Sequence, residues 1–330
     1  MGSISRDGRI TSSRRSPFER RSAGRAAGVQ EAQLYPKLPA HKDRLLEKRR
    51  AWQKITIFIL LLSLFAGSIE LARAIVPYGT QLVLSTWSPF LADMFGMWSV
   101  GIAGLLALAL TDRSMSSIGF ALPARRYLVL GSAIPVAYCA AIYVPVWLFA
   151  PWTFAGTAAL SAGAAASLFH LPRSLFAAAG EELGWRGVLV PNLATVASPV
   201  SALLAPGMLW ALWHYPDILF FGYNVGTPSV FALICFSIGL VGTGACLSWL
   251  RLASGSLWPA VLFHGVHNAV IWGVFERATS KGGATAYFMT EFGAGFALVG
   301  VAVGFASVRY GATAGDPALQ PQGEFGRRRP

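Results

Sequence analysis

The sequence predicts an all-α, polytopic membrane protein, and two observations support this prediction. Of its 330 residues, 54% are hydrophobic and only 13% are charged, whereas a soluble domain carries about 25% charged residues. Long apolar runs also recur along the chain, and an α-helix needs about 20 such residues to cross the hydrocarbon core of a bilayer. A soluble enzyme is therefore disfavoured, and the lipid bilayer is the expected partner.

The apolar runs predict about eight transmembrane helices within residues 55–308. The fourth run is the weakest, because Pro172, Arg173 and a pair of glutamates interrupt an alanine-rich segment. No internal repeat is visible, which disfavours a transporter built from two related halves. The runs lie near residues 55–76, 89–110, 127–150, 163–184, 199–221, 228–250, 256–275 and 292–308.

The net charge of +12 comes mostly from the N-terminal region. Residues 1–54 hold 14 basic and 5 acidic residues, whereas residues 55–308 hold 9 and 8. Such a nearly neutral body cannot form a basic nucleic-acid-binding surface, so we expect no nucleic-acid partner. Residues 1–54 lack apolar periodicity and are predicted to be a disordered basic cytoplasmic arm, and residues 309–330 a disordered C-terminal tail.

Lysine and arginine residues near the ends of the spans predict the orientation of the helices. In an eight-span arrangement most of them fall on one side, which is expected to be cytoplasmic. Both termini are therefore predicted to lie in the cytoplasm. The residues on this side are the arm through Lys54, the loop from Arg113 to Arg126, Arg186, Arg251 and Arg309.

A few ionisable or strongly polar residues interrupt the predicted spans. A charged residue at the centre of a membrane helix costs about 2.5–3.5 kcal/mol on insertion scales, so each one marks a candidate functional site. Asp217 is an exception, since Pro216 is expected to disrupt the helix between it and the rest of the span. The candidate residues are Glu181, Glu182 and Arg186 in the fourth span, His214 in the fifth, and His264, His267 and Asn268 in the seventh.

Helical spacing relates several of these residues. Glu182 and Arg186 are four residues apart, which predicts a charge-assisted pair on one helix face. Glu181 points to a different sector of the helix and is left as a candidate general base. His264 and Asn268 are also four residues apart and are expected to project side by side.

Packing of the fourth, fifth and seventh spans would collect Glu181, His214, His264 and Asn268 in one polar pocket. A carboxylate and an imidazole can deprotonate a water molecule, while a second imidazole and an amide can stabilise an oxyanion. Alternatively, two histidines and a glutamate are a ligand set for catalytic zinc. Both schemes lead to hydrolysis and leave the metal open, and polar contacts that only join helices are the structural alternative.

Three motifs in this region resemble those of the CPBP intramembrane proteases. That family includes the type II CAAX prenyl endopeptidases and the bacterial Abi and lysostaphin-resistance-A-like proteins. The resemblance covers residues 172–275, and one departure is Trp210, where the family usually has phenylalanine. The motifs are Glu181-Glu182-x-x-x-Arg186, an aromatic residue four positions before His214, and His264-x-x-x-Asn268.

The resemblance implies a multi-pass intramembrane endopeptidase that hydrolyses a peptide bond in a protein or peptide substrate. The flanking sequence is similar to that of bacterial members, which implies the bacterial plasma membrane. A catalytically silent membrane scaffold, or a bacteriocin-immunity-type binding protein of the same family, is the alternative function. By analogy with the family, water activation is assigned to Glu181 and His214, orientation of the site to Glu182 and Arg186, and the oxyanion pocket to His264 and Asn268.

Overall fold

The computed structural model describes residues 41–75, 89–111, 114–224, 226–280 and 282–313, and these are almost entirely helical. The all-α prediction is thereby confirmed. Two π-helical segments, Leu183–Leu189 and Ile271–Phe275, directly follow α4 and α8. The α-helices are α1 (His41–Ile75), α2 (Pro89–Thr111), α3 (Arg125–Phe149), α4 (Thr157–Glu182), α5 (Val190–Val196), α6 (Pro199–Phe220), α7 (Ser229–Ser254), α8 (Trp258–Val270) and α9 (Ala294–Thr313).

Each of the eight predicted apolar runs coincides with a helix, counting α8 together with its π-helical extension. Within the described residues, four helices are long and apolar enough to cross a membrane: α1, α3, α7 and the Ala294–Gly311 part of α9. The protein is therefore a multi-pass membrane protein, and the number of eight spans stays a prediction.

The helices extend beyond the predicted ends of the membrane domain. Helix α1 begins at His41, so residues 41–54 are helical, although they belong to the predicted disordered arm. Leucine, glutamate, lysine and arginine are good helix formers and continue the apolar helix outward. Helix α9 likewise continues to Thr313. Residues 1–40 and 314–330, to which the rest of the predicted arm and tail belong, and Arg113 lie outside the described residues.

The internal contacts divide the chain into two units, Met1–Leu46 and Glu47–Pro330. The boundary lies within α1, eight residues before the predicted end of the arm at residue 54. The second unit contains every residue of the candidate site. The fold and the site below are those of this unit.

Helix α7 is the most extensively buried of the four candidate spans and packs between α6 and α9. Its contact with α9 depends on glycine, since a Cβ added at Gly242 would lie 1.9 Å from the carbonyl oxygen of Gly300. Small residues allow membrane helices to approach this closely. Helix α8 packs between α3 and α4, which carries its histidines toward the end of α4.

Proline does not interrupt the two helices in which it was expected to. Helix α4 continues through Pro172, and α6 continues through Pro216 to Phe220. Neighbouring helices commonly compensate for proline within membrane helices. As a result Asp217 lies on the same helix as His214, and its carboxylate accepts a 2.5 Å hydrogen bond from Arg73 at the end of α1.

Candidate active site

The two glutamates of the first motif are the last two residues of α4, where the chain changes to a π-helix. Arg186 lies in that π-helical segment, and all three side chains are buried. π-Helical turns are rare and often occur at functional sites. The carbonyl oxygen of Arg186 accepts a hydrogen bond from Nε of Arg251 on α7 at 3.0 Å, which satisfies one backbone group of the irregular segment.

Glu182 is the centre of a buried ionic cluster. Its Oε1 accepts hydrogen bonds from Nη1 of Arg186 at 3.1 Å and from Nδ1 of His264 at 3.0 Å. The side chains of Glu182 and Arg186 are 0% exposed and that of His264 is 5% exposed. The predicted Glu182–Arg186 pair forms, and a histidine from a distant span joins it. Removing one partner would leave an uncompensated buried charge.

Trp210 joins this cluster to the rest of the site. Its indole Nε1 donates a 2.5 Å hydrogen bond to Oε2 of Glu181, which is 1% exposed. The guanidinium of Arg186 lies over the indole ring, with its Cζ 4.6 Å from the ring centroid. The ring of His264 meets the indole edge-on at a centroid distance of 5.0 Å. Helical spacing predicts no partner for Glu181 on its own helix. In the folded protein, the indole of Trp210 from α6 is its partner.

His214 lies one turn after Trp210 on α6. Its Nδ1 is 2.9 Å from the carbonyl oxygen of Trp210, and since a carbonyl can only accept, Nδ1 carries the proton. In the neutral ring Nε2 then has a free lone pair. The imidazole stacks on Tyr223 at a centroid distance of 5.9 Å and an angle of 20°, and Phe236 contacts it edge-on at 5.1 Å.

Asn268 follows His264 by one turn of α8 and is half-buried. Its amide forms no hydrogen bond to any residue that the structure describes. The structure therefore joins Glu182, Arg186 and His264 by direct contacts and relates Glu181 and His214 to each other through Trp210. It relates Asn268 to them only by its position on α8.

The zinc alternative requires three ligand atoms that converge on one point. Within the described parts of the chain, no three His, Cys, Asp or Glu side chains are arranged to hold a metal ion. Nδ1 of His264 and Oε2 of Glu181 are already hydrogen-bonded, which leaves Nε2 of His264 and Oε1 of Glu181 as the available atoms. Because these atoms do not converge with a third ligand in the described residues, the side chains do not fit a zinc site in this arrangement.

A second polar network lies beside the first, and the sequence motifs did not reveal it. Nε2 of His267 donates to Oε1 of Glu291 at 2.7 Å, and the hydroxyl of Tyr223 donates to Oε2 of the same carboxylate at 3.2 Å. The hydroxyl of Tyr138 is 2.5 Å from Nδ1 of His267. Burial raises the pKa of Glu291, but its interactions with His267 and His214 and the hydrogen bond from Tyr223 outweigh that effect, so the pKa is lowered overall.

Trp210, Arg251 and Glu291 are thus the residues that sequence reasoning did not place in the site. Trp210 was visible as an aromatic in the second motif, without a hydrogen-bonding role. Arg251 was read only as a cytoplasmic charge, although it is buried. Glu291 lies one residue before the last predicted span, at no informative spacing from the motifs.

Fold and site together define a helical membrane protein with a buried carboxylate, arginine and histidine site between its helices. Residues 163–270 match the family model described as Rce1-like, type II CAAX prenyl endopeptidase Rce1-like. The CAAX prenyl protease 2 of Methanococcus maripaludis is 32% identical over 98 residues, which cover 28% of this chain and 36% of that protein. These matches confirm the resemblance to the CPBP family.

The matched segment includes all six candidate catalytic residues and Trp210 of the second motif. The chain spans about a third of the length of the curated relative. Tyr138 and Glu291 of the second network lie outside the segment that matches the family model.

Proposed function

We propose that this protein is an intramembrane endopeptidase that hydrolyses a peptide bond of a protein or peptide substrate. The observation that carries the proposal is the position of Trp210 between two groups that can act on water. Its indole N–H holds Glu181, and its carbonyl oxygen orients His214. Chemistry of this kind needs a carboxylate and an imidazole held in fixed orientations.

Water activation is assigned to Glu181 and His214. Trp210 engages Oε2 of Glu181, so Oε1 is the oxygen that takes a proton from water. Nε2 of His214 is the second acceptor, because Nδ1 donates to the backbone. The attacking oxygen forms a bond to the substrate carbonyl carbon. The peptide C–N bond then breaks, and the proton that Glu181 took from water passes to the nitrogen of the leaving amine.

Stabilisation of the oxyanion is assigned to His264 and Asn268. Because Nδ1 of His264 donates to Glu182, donation to an oxyanion requires a second proton on Nε2. The carboxylates of Glu181 and Glu182 and the guanidinium of Arg186 together carry one net negative charge, which that proton would balance. The side-chain amide of Asn268 is the second donor.

Glu182 and Arg186 orient the site without contacting substrate in this proposal. Glu182 holds Nδ1 of His264 and so fixes the direction of its Nε2. Arg186 neutralises Glu182 and lies against the indole of Trp210. The Glu182–Arg186 pair thereby keeps His264, the proposed oxyanion donor, packed together with Trp210, which is hydrogen-bonded to Glu181.

Replacement of the two water-activating residues tests the proposal. We expect Glu181→Gln and His214→Gln to lower cleavage by about a thousandfold, since general-base catalysis contributes about 10²–10⁴-fold. Both variants should still insert and fold. Glu276→Gln is the control, because it removes the charge of another buried glutamate outside the motifs. Substrate-trapping proteomics with Glu181→Gln in the native membrane identifies the substrate.

Wild-type cleavage by both variants would contradict the assigned mechanism. Recovery of the same intact partner by wild type and by Glu181→Gln would favour the silent scaffold instead.

We also propose that the chain crosses the bilayer eight times with both termini in the cytoplasm. The helices at the positions of the predicted runs and the distribution of basic residues support this arrangement.

A further inference from the structure

The second polar network is a continuous series of hydrogen bonds that ends at Tyr223. The ring of Tyr223 stacks on His214, one of the two proposed water-activating residues. The network runs from Tyr138 on α3 through His267 on α8 to Glu291, in the turn before α9, and on to Tyr223 in the connection between α6 and α7. Glu291 is 5% exposed and His267 is 8% exposed. Four separate segments of the chain are thus joined by one buried network, in which Glu291 bonds directly to two of the other three residues.

The donors and acceptors of this network are matched. The carboxylate of Glu291 only accepts, so His267 donates from Nε2 and Tyr223 donates from its hydroxyl. With a neutral imidazole, Nδ1 of His267 then accepts from the hydroxyl of Tyr138. A fully satisfied buried network of this type holds its members in one arrangement.

Each oxygen of the Glu291 carboxylate accepts a hydrogen bond from a residue that neighbours a residue of the proposed mechanism. Through Oε2, Glu291 fixes the hydroxyl of Tyr223, whose ring stacks on His214. Through Oε1 it fixes His267, the residue immediately before Asn268 on α8. Tyr223 lies in a connection rather than in a helix, so the bond to Glu291 is what anchors the polar end of its ring.

We propose that Glu291 is a positioning residue for the active site, which sets the orientation of His214 through Tyr223 and, through His267, holds in place the helix α8 that carries Asn268. The inference rests on the proposed function. Glu291 contacts neither water nor substrate in this scheme and acts through its two hydrogen-bond donors. Glu291 also lies outside the segment that matches the family model, whereas Tyr223 and His267 lie inside it.

Two conservative variants test the proposal. Tyr223→Phe keeps the stacked ring and removes only the bond to Glu291. Glu291→Gln keeps the shape but turns an amide N–H₂ toward one of the two donors. We expect each variant to lower kcat about tenfold with unchanged KM, because misorientation of a catalytic group lowers the rate more than binding. The double variant should be no worse than about twofold below the singles, since both break the same bond.

A second measurement does not depend on activity. In protein labelled with ¹⁵N-histidine and held in nanodiscs, His214 should show the neutral tautomer protonated at Nδ1, with the signal assigned by its loss in His214→Gln. We expect this signal to shift or split in Glu291→Gln and in Tyr223→Phe. Glu276→Gln, which also neutralises a buried glutamate, should leave the His214 signal and kcat unchanged.

Three possible results decide whether Glu291 positions the site and whether the proposed function holds. A His214 signal and a kcat that are unchanged in both folded variants overturn the proposal. Losses that multiply in the double variant also overturn it, because the two residues would then act independently. If the wild-type protein cleaves no substrate, the proposed function fails, and the His214 signal alone still decides whether Glu291 positions that ring.

Discussion

Trp210 has two roles in the proposed site: its ring packs against its neighbours, and its indole N–H orients Glu181. Replacing Trp210 by phenylalanine tests the second role, because it keeps an aromatic ring and removes the N–H. Phenylalanine keeps an aromatic face for Arg186 and leaves the backbone carbonyl that accepts from His214. It removes the donor 2.5 Å from Oε2 of Glu181. The resemblance to the family, which usually has phenylalanine here, predicts a harmless change. The contacts of the indole predict a damaging one.

The expected loss follows from the burial of Glu181. Glu181 is 1% exposed, and the water of the proposed mechanism binds at Oε1, so the Oε2 that loses its indole donor has no ready replacement. A hydrogen bond to a charged group contributes about 1.5–3 kcal/mol, and about 1.4 kcal/mol corresponds to a factor of ten in rate. If the bond holds Glu181 in its reactive orientation, kcat/KM of Trp210→Phe should fall about 10- to 100-fold.

The assay is steady-state cleavage in nanodiscs, combined with thermal unfolding of the same samples. Trp185→Phe is the matched control, because that indole is 0% exposed and its Nε1 has no hydrogen-bond partner among the described residues. It should lose packing energy similar to that lost by Trp210→Phe, without the orienting bond. Wild-type kcat/KM in Trp210→Phe would refute the reasoning that the indole N–H holds Glu181.

Three further predictions concern the framework of the site. Gly242→Leu should separate α7 from α9 and replace a single symmetric peak in size-exclusion chromatography by aggregate, whereas Gly67→Ala, with no atom within 4 Å of the added Cβ, should be tolerated. Arg251→Met loses bonds to two backbone carbonyls, at 3.0 and 2.6 Å, and should lower the free energy of unfolding by about 2–4 kcal/mol in an SDS titration; an unchanged midpoint would contradict this. Cysteines placed singly near both termini should react with impermeant maleimide only after permeabilisation, and labelling in intact cells would refute the cytoplasmic orientation.

The candidate site was predictable from sequence to the extent that it depends on local spacing. Glu182 and Arg186 are neighbours on any helix, and the scarcity of charge in the apolar runs made them visible. The bond from His264 to Glu182 joins residues 82 positions apart. Three ordered motifs indicated such a meeting of spans, but only helix packing determines which atoms meet.

Other contacts gave no local signal. Trp210 reads in sequence as a large aromatic, and only its rotamer relative to α4 reveals a donor to Glu181. Arg251 ends a span, as arginines on the cytoplasmic side do, yet its guanidinium turns inward to the carbonyl oxygens of Arg186 and Ser117. Hydrophobicity ends near residue 55, whereas helix propensity continues outward, so the helix begins at His41.

Composition and periodicity by themselves determined that this protein is all-α and multi-pass, because a bilayer admits few ways of satisfying the backbone and apolar helices are one of them. They also identified the costly polar residues. Only the tertiary structure decided how those residues are connected. Glu182 is the shared acceptor of Arg186 and His264, and Trp210 links Glu181 to His214. Glu291 is the shared acceptor of the second network. Those bonds depend on rotamers and interhelical distances, which no spacing along a single chain can encode.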